Sequence, residues 1–135
     1  MSFVDVNSLA VIETIAVGPN PHEIIVTPDG SSAYLSNYRP PGDSISVVDL
    51  VERQHAGQIS TGEYTRIHGA AMTSDGRFAY FTAGQTGYVV EIDISRNIVT
   101  RAISTFGEIS HMTYLSPDDT LLYTANIVSE DVSVL

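Results

Sequence analysis

Along this chain, short runs of alternating apolar and polar residues are cut at regular intervals by clusters of Pro, Asp, Ser and Gly. Period-two alternation between turn residues is the pattern of half-buried strands, and no stretch carries the three-to-four spacing of an amphipathic helix. Three segments fall into register when their turns are superposed: His22-Glu-Ile-Ile-Val-Thr-Pro-Asp-Gly-Ser-Ser-Ala-Tyr34, His68-Gly-Ala-Ala-Met-Thr-Ser-Asp-Gly-Arg-Phe-Ala-Tyr80 and His111-Met-Thr-Tyr-Leu-Ser-Pro-Asp-Asp-Thr-Leu-Leu-Tyr123. Each reads as a β-hairpin: an apolar run, a turn, and a second apolar run opening on tyrosine. A third run follows in Ser44–Leu50, Tyr88–Ile94 and Asp131–Leu135, and a fourth in Gln54–Ser60 and Ile98–Ser104.

Four short antiparallel strands, repeated at roughly 45 residues, predict an all-β fold made of β-propeller blades. The repeats run approximately 18–61, 62–106, and 107–135 joined with 3–17, a single propeller unit over residues 1–135. The third repeat stops inside its third strand, and its missing fourth strand is read at the other end of the chain. There Val4-Asp5-Val6 through Val17-Gly18 matches Val48-Asp49-Leu50 through Gly62. Three blades do not close a ring, since propellers have about four to eight. The expected solution is a homodimer, in which the N-terminal strand of each copy completes the last blade of the other and a six-bladed ring results. The alternative is that the chain is a piece of a longer propeller.

Tyr34-Leu-Ser-Asn37, Tyr80-Phe-Thr-Ala83 and Tyr123-Thr-Ala-Asn126, with Ser-Val-Val-Asp49, Val-Glu-Ile-Asp93, Gly18–His22 and the Thr27–Gly30 turn, resemble the YVTN family of β-propeller repeats. The resemblance covers nearly the whole chain. It implies the fold, and leaves function open among surface proteins, lactonase-like proteins and nitrous oxide reductase-like propellers. Those relatives usually carry every blade in one chain, which is where this sequence departs from them.

Composition narrows the chemistry. There is no cysteine and no lysine, so thiolate ligands, disulfides and lysine Schiff bases are excluded. Sixteen carboxylates against six arginines give a net charge of −10, which repels a phosphate backbone, so no nucleic-acid partner is expected. No run approaches the length of a membrane span, and the start lacks the pattern of a secretory leader; no membrane partner and a cytoplasmic location are expected.

Among thirteen aligned hairpin positions only three are identical in every copy: His22, His68 and His111; Asp29, Asp75 and Asp118; Tyr34, Tyr80 and Tyr123. The aspartates suit turns and the tyrosines suit the wedge between blades. Asp5, Asp49 and Asp93, where the third strand turns into the fourth, have the same structural explanation. A histidine opening the innermost strand has no such duty. Equivalent places on successive blades face one axis, so the three histidines are candidate ligands for copper, iron, zinc or nickel, which neutral imidazole suits. In nitrous oxide reductase-like relatives, histidines of this general placement hold copper, so the resemblance makes a metal plausible without choosing it.

The loop Gly62–His68 is two residues longer than its counterparts and brings Glu63, Tyr64 and Arg66 to the channel mouth, with Glu108 at the matching place in the third copy. Arg66 suits a carboxylate anchor, and Tyr64 or Glu63 suits proton transfer. His55, in an outer strand, reads as a surface residue, and the loop Tyr38–Asp43 as structure or a partner contact. The expected function is a metal-dependent enzyme, an oxidoreductase or lyase, acting on a small organic molecule. The alternative is a propeller binding module that presents its rim loops to a protein or small ligand.

Overall fold

The computed structural model describes residues 1–135. The fold is all-β, with thirteen strands in four antiparallel sheets. An N-terminal hairpin joins β1 (Ser2–Val4) to β2 (Val11–Thr14). The first complete sheet is the meander β3 (Pro21–Val26), β4 (Ser32–Asn37), β5 (Ser44–Asp49) and β6 (Gln54–Ser60). β7 (Ile67–Met72), β8 (Phe78–Ala83), β9 (Tyr88–Asp93) and β10 (Ile98–Ser104) repeat it. β11 (Ser110–Leu115), β12 (Leu122–Asn126) and β13 (Asp131–Val134) form a three-stranded sheet. No helix is long and apolar enough to cross a membrane.

Turn chemistry explains why the strands stop where they do. In the hairpins, Thr27, Thr73 and Ser116 donate hydroxyl hydrogen bonds to Asp29, Asp75 and Asp118 at 2.6, 2.7 and 2.6 Å. Each aspartate also accepts a backbone N–H two residues on, from Ser31, Arg77 and Thr120. The residue following each aspartate, Gly30, Gly76 or Asp119, takes the left-handed conformation that closes such a turn. A second device recurs between third and fourth strands. Asp5, Asp49 and Asp93 accept N–H groups from Ser8, Glu52 and Arg96, and Leu9, Arg53 and Asn97 follow with positive φ. Six of the nine aspartates are thus caps of exposed turns. Hydrogen bonds hold Asp29 down to a pKa of about 2, with Thr27 the main donor.

The sheets pack face to face. The core between the first and second complete sheets gathers Tyr34, Ile45, Val47, Ile59, Ile67, Phe81, Val90 and Ile92, all buried. Met1, Phe3, Ile15 and Val17 from the N-terminal segment cover Ala33, Leu35 and Val48 on the opposite face of the first sheet. The innermost strands β3, β7 and β11 are neighbours in space, β7 lying between the other two, so the sheets fan out from a common line. This is a propeller-like arrangement. One of the recurring tyrosines fills the wedge: Tyr34 is buried in this core and its hydroxyl donates to Asn97 Oδ1 of the next sheet at 2.8 Å, whereas the Tyr80 hydroxyl donates to Glu91, its cross-strand partner in the same sheet, at 2.9 Å.

The N-terminal segment carries more than the expected fourth strand. β1 leads into Asp5 as β5 ends on Asp49 and β9 on Asp93, so it is equivalent to a third strand, and β2 to a fourth. β13 is also a third strand, because Asp131 lies opposite Asn126 as Ser44 lies opposite Asn37. Besides β5 and β9, the chain therefore holds two further third-strand segments, one near each end.

Candidate metal centre

His22, His68 and His111 occupy the same place in three strands, the second residue of β3, β7 and β11. Each lies in a register irregularity, between Pro21 and Ile24, Ile67 and Ala70, and Ser110 and Met112. Such a bulge turns a side chain away from the regular alternation. Hydroxyls on the neighbouring strands satisfy the backbone it frees: Ser36 accepts the Glu23 N–H at 2.9 Å and Thr82 accepts the Gly69 N–H at 2.8 Å. The third copy has Ala125 at that place, and Met112 lies opposite it. Gly69 is required here, since a Cβ would sit 2.5 Å from the His111 carbonyl.

The three imidazoles meet. The His68 ring centroid lies 3.9 Å from that of His22 and 3.7 Å from that of His111, with the outer two 6.5 Å apart. Tyr38 closes one side, 5.3 Å from both His22 and His68. His22 is exposed and His111 half-buried, whereas His68 is only 2% exposed. The His68 Nδ1 is 3.2 Å from the His111 carbonyl oxygen, which also accepts the Thr82 hydroxyl at 2.7 Å. A carbonyl only accepts, so Nδ1 carries the proton and Nε2 carries the lone pair. That Nε2 is buried and has no hydrogen-bond partner. Burial first, then the nearby His111 and His22 rings, pushes the His68 pKa down to about 4, so the ring is neutral at pH 7.

Donor atoms of His22, Glu23 and His68 all lie within 4.8 Å of one another and could hold a metal ion. Glu23 Oε1 is 3.8 Å from His22 Nδ1. His111 does not join that set; its ring stacks on His68 and its carbonyl orients it. The sequence pattern picked out the three histidines but missed Glu23 and Tyr38, because neither recurs in the other copies. The one available signal for Glu23 was that it directly follows His22.

The rim residues divide. Arg66 shares a pocket of about 150 Å³ with Tyr38, Gln85, His68 and His111. Its guanidinium lies 5.1 Å from the centre of the Tyr38 ring. Glu63 is exposed on the turn, and neither it nor Tyr64 lines this pocket. Tyr64 packs instead against the core, 5.3 Å from Tyr88, where its apolar ring body outweighs its hydroxyl. Glu108 is exposed, its N–H bonded to Ser129, and His55 is exposed on β6. The Tyr38–Asp43 loop contributes to the centre directly: it supplies Tyr38, and its Gly42 carbonyl accepts the Ile67 N–H at 3.1 Å, next to His68.

No family model matches the sequence, and no curated protein matches it. Among solved structures the chain is similar to a chain of the hydrazine synthase of Kuenenia stuttgartiensis, with a TM-score of 0.86 and 31% identity. The match covers 98% of this chain and 38% of that one, so the chain spans well under half the length of that relative.

Proposed function

We propose that this chain is the metal-holding unit of a propeller-type metalloenzyme acting on a small molecule, with His22, Glu23 and His68 as ligands and His111 and Tyr38 positioning them. The observation that carries the reading is the buried, partnerless Nε2 of His68, whose lone pair is fixed by the Nδ1–H bond to His111. A structural histidine at 2% exposure would be expected to find a partner for both nitrogens. Two imidazoles and one carboxylate with open positions suit a divalent transition ion such as iron or zinc. Such an ion would supply Lewis-acid or redox chemistry. The chain's own part is to keep His68 neutral, hold its ring by the His111 carbonyl, and exclude water from its Nε2. The similarity to a chain of a hydrazine synthase supports an enzymatic setting.

Titration calorimetry of the metal-free protein with Fe(II), Zn(II), Cu(II) and Ni(II) tests the ligand set. One site per chain is expected, lost in His68→Ala, weakened in Glu23→Gln and unchanged in His55→Ala. Binding that survives His68→Ala refutes this centre.

The fuller architecture proposed is three blades per chain, closed into a six-bladed ring by a second copy. In support, the last sheet has first, second and third strands, while the N-terminal hairpin has third and fourth. Apolar side chains are exposed on both: Val132 and Val134 on β13, Val11 and Ile12 on β2. β1 and β13 are equivalent, so only one of them takes the third place in the shared blade. A solution mass of twice the chain's 14.6 kDa agrees with this ring, and a folded monomer contradicts it.

A further inference from the structure

We infer that the pocket beside the histidines is a subsite for a small carboxylate, held by Arg66; this rests on reading the histidine centre as a ligand site and names the class of ligand it takes. Of the six arginines only Arg53 and Arg101 form ion pairs, with Glu13 and Glu91, and the other four form none. Among those four, Arg77 lines a cleft together with Asp93. Arg66 differs in its surroundings. It lines the pocket with Tyr38, Gln85, Ser110, His68 and His111, and no carboxylate is in the lining.

The cation is held in place from both sides. The Arg66 carbonyl accepts the Gly84 N–H at 3.2 Å, the following Ile67 N–H bonds to Gly42, and the guanidinium rests over Tyr38 at 5.1 Å. A guanidinium seated on an aromatic face leaves its planar edge of N–H groups free, and that edge matches the two oxygens of a carboxylate. His68 lines the same pocket, but its unpartnered Nε2 is itself an acceptor and is left to the metal, since a carboxylate has no proton to donate to it. A cation without its anion, in a pocket whose lining holds no carboxylate, forms a site lacking its ligand.

A cavity of about 150 Å³ is large enough for a molecule the size of benzene, so acetate, propionate and lactate fit within it.

Chemical-shift titration of the chelator-treated, metal-free protein tests this, with sodium acetate, propionate and lactate beside acetamide. The small carboxylates are expected to give saturable shifts centred on Gln85, Ser110 and His111, and acetamide none. Arg66→Gln is expected to weaken carboxylate binding at least about tenfold, and Arg66→Lys to weaken it less, since it keeps the charge and loses the fork. Thermal melts of both variants establish that they are folded, and the lysine variant carries the test should the glutamine variant not be. Acetamide binding as well as acetate, no saturable shift with any small carboxylate, or parental affinity in a folded Arg66 variant would each overturn the inference. Metal content is read separately by elemental analysis. A protein that binds metal but no carboxylate refutes this subsite alone, and one that binds carboxylate but no metal refutes the metal centre alone.

Discussion

Arg101→Met is expected to destabilise the protein by about 2–3 kcal/mol at pH 7, and by much less near pH 4.5. The cause is Glu91, on β9, whose side chain is only 8% exposed. A carboxylate in such a place is tolerated only when its oxygens are occupied. Here Arg101 donates through Nε at 2.9 Å and through its terminal nitrogen at 2.7 Å. Thr100 adds a hydroxyl at 2.7 Å and Tyr80 another at 2.9 Å. Burial alone would raise the Glu91 pKa, but the donors outweigh it and the net shift is downward, Arg101 being the largest of them. Glu91 therefore stabilises the parent at pH values above its unfolded pKa, and that contribution fades as pH falls through the folded one. Without Arg101, burial wins and the sign reverses: the variant is penalised at neutral pH and relieved as Glu91 takes up a proton. Arg101 is itself 61% exposed, which is why the figure is placed below the full cost of orphaning a buried charge. Urea unfolding at the two pH values checks this, with Glu91→Gln/Arg101→Met expected to recover most of the loss. An equal loss at both pH values would show that packing of the arginine stem, and not charge, is responsible.

The metal-free protein is expected to lose stability between pH 6.5 and pH 4, with His68 as the main cause. Its folded pKa of about 4 lies below the ordinary value of 6.5, chiefly through burial and then through the adjacent His111 and His22. In that window the unfolded chain binds the proton and the folded one does not, so stability rises with pH and is lost as pH falls. The full effect is roughly 3 kcal/mol, with about 2 kcal/mol gone at pH 5. Asp29, held to about 2, loses its contribution below this window and does not blur it. His68→Asn, whose amide can still donate to the His111 carbonyl, is expected to flatten the dependence. A parent whose unfolding free energy is the same at pH 7.5 and pH 5, or a variant that declines as steeply, would contradict the placement of His68.

The repeats were legible because strand alternation and turn residues recur at a fixed offset, and the strands β3 to β13 fall where those patterns lie. The convergence of His22, His68 and His111 was legible for the same reason: an identical offset in a repeating fold places three side chains along one line. What carries the chemistry within that line was less visible. The bulges that aim the histidines arise from backbone pairing and leave no mark on hydropathy. Glu23 and Tyr38 occur in one copy only, where Gly69 and Met112, and Gly84 and Ile127, stand in the others. Tyr64 was misleading because a rim loop can fold an aromatic ring back into the core, as its contact with Tyr88 does. The Glu91–Arg101 pair escaped notice because a single glutamate in an apolar strand gives no sign of which cation lies across the ladder. The N-terminal third-strand segment was hidden in Ser2–Val4, too short to register as a strand before its partner Val11–Thr14 was seen beside it.

The most direct test of the metal centre is the metal content of the tag-free purified protein, measured beside a folded His22/His68/His111 triple-alanine variant. One transition-metal ion per chain in the parent and none in the variant is the predicted result. No metal in either protein, even after incubation with iron, zinc, copper and nickel, would contradict the account and return the histidines to a structural role in a binding module.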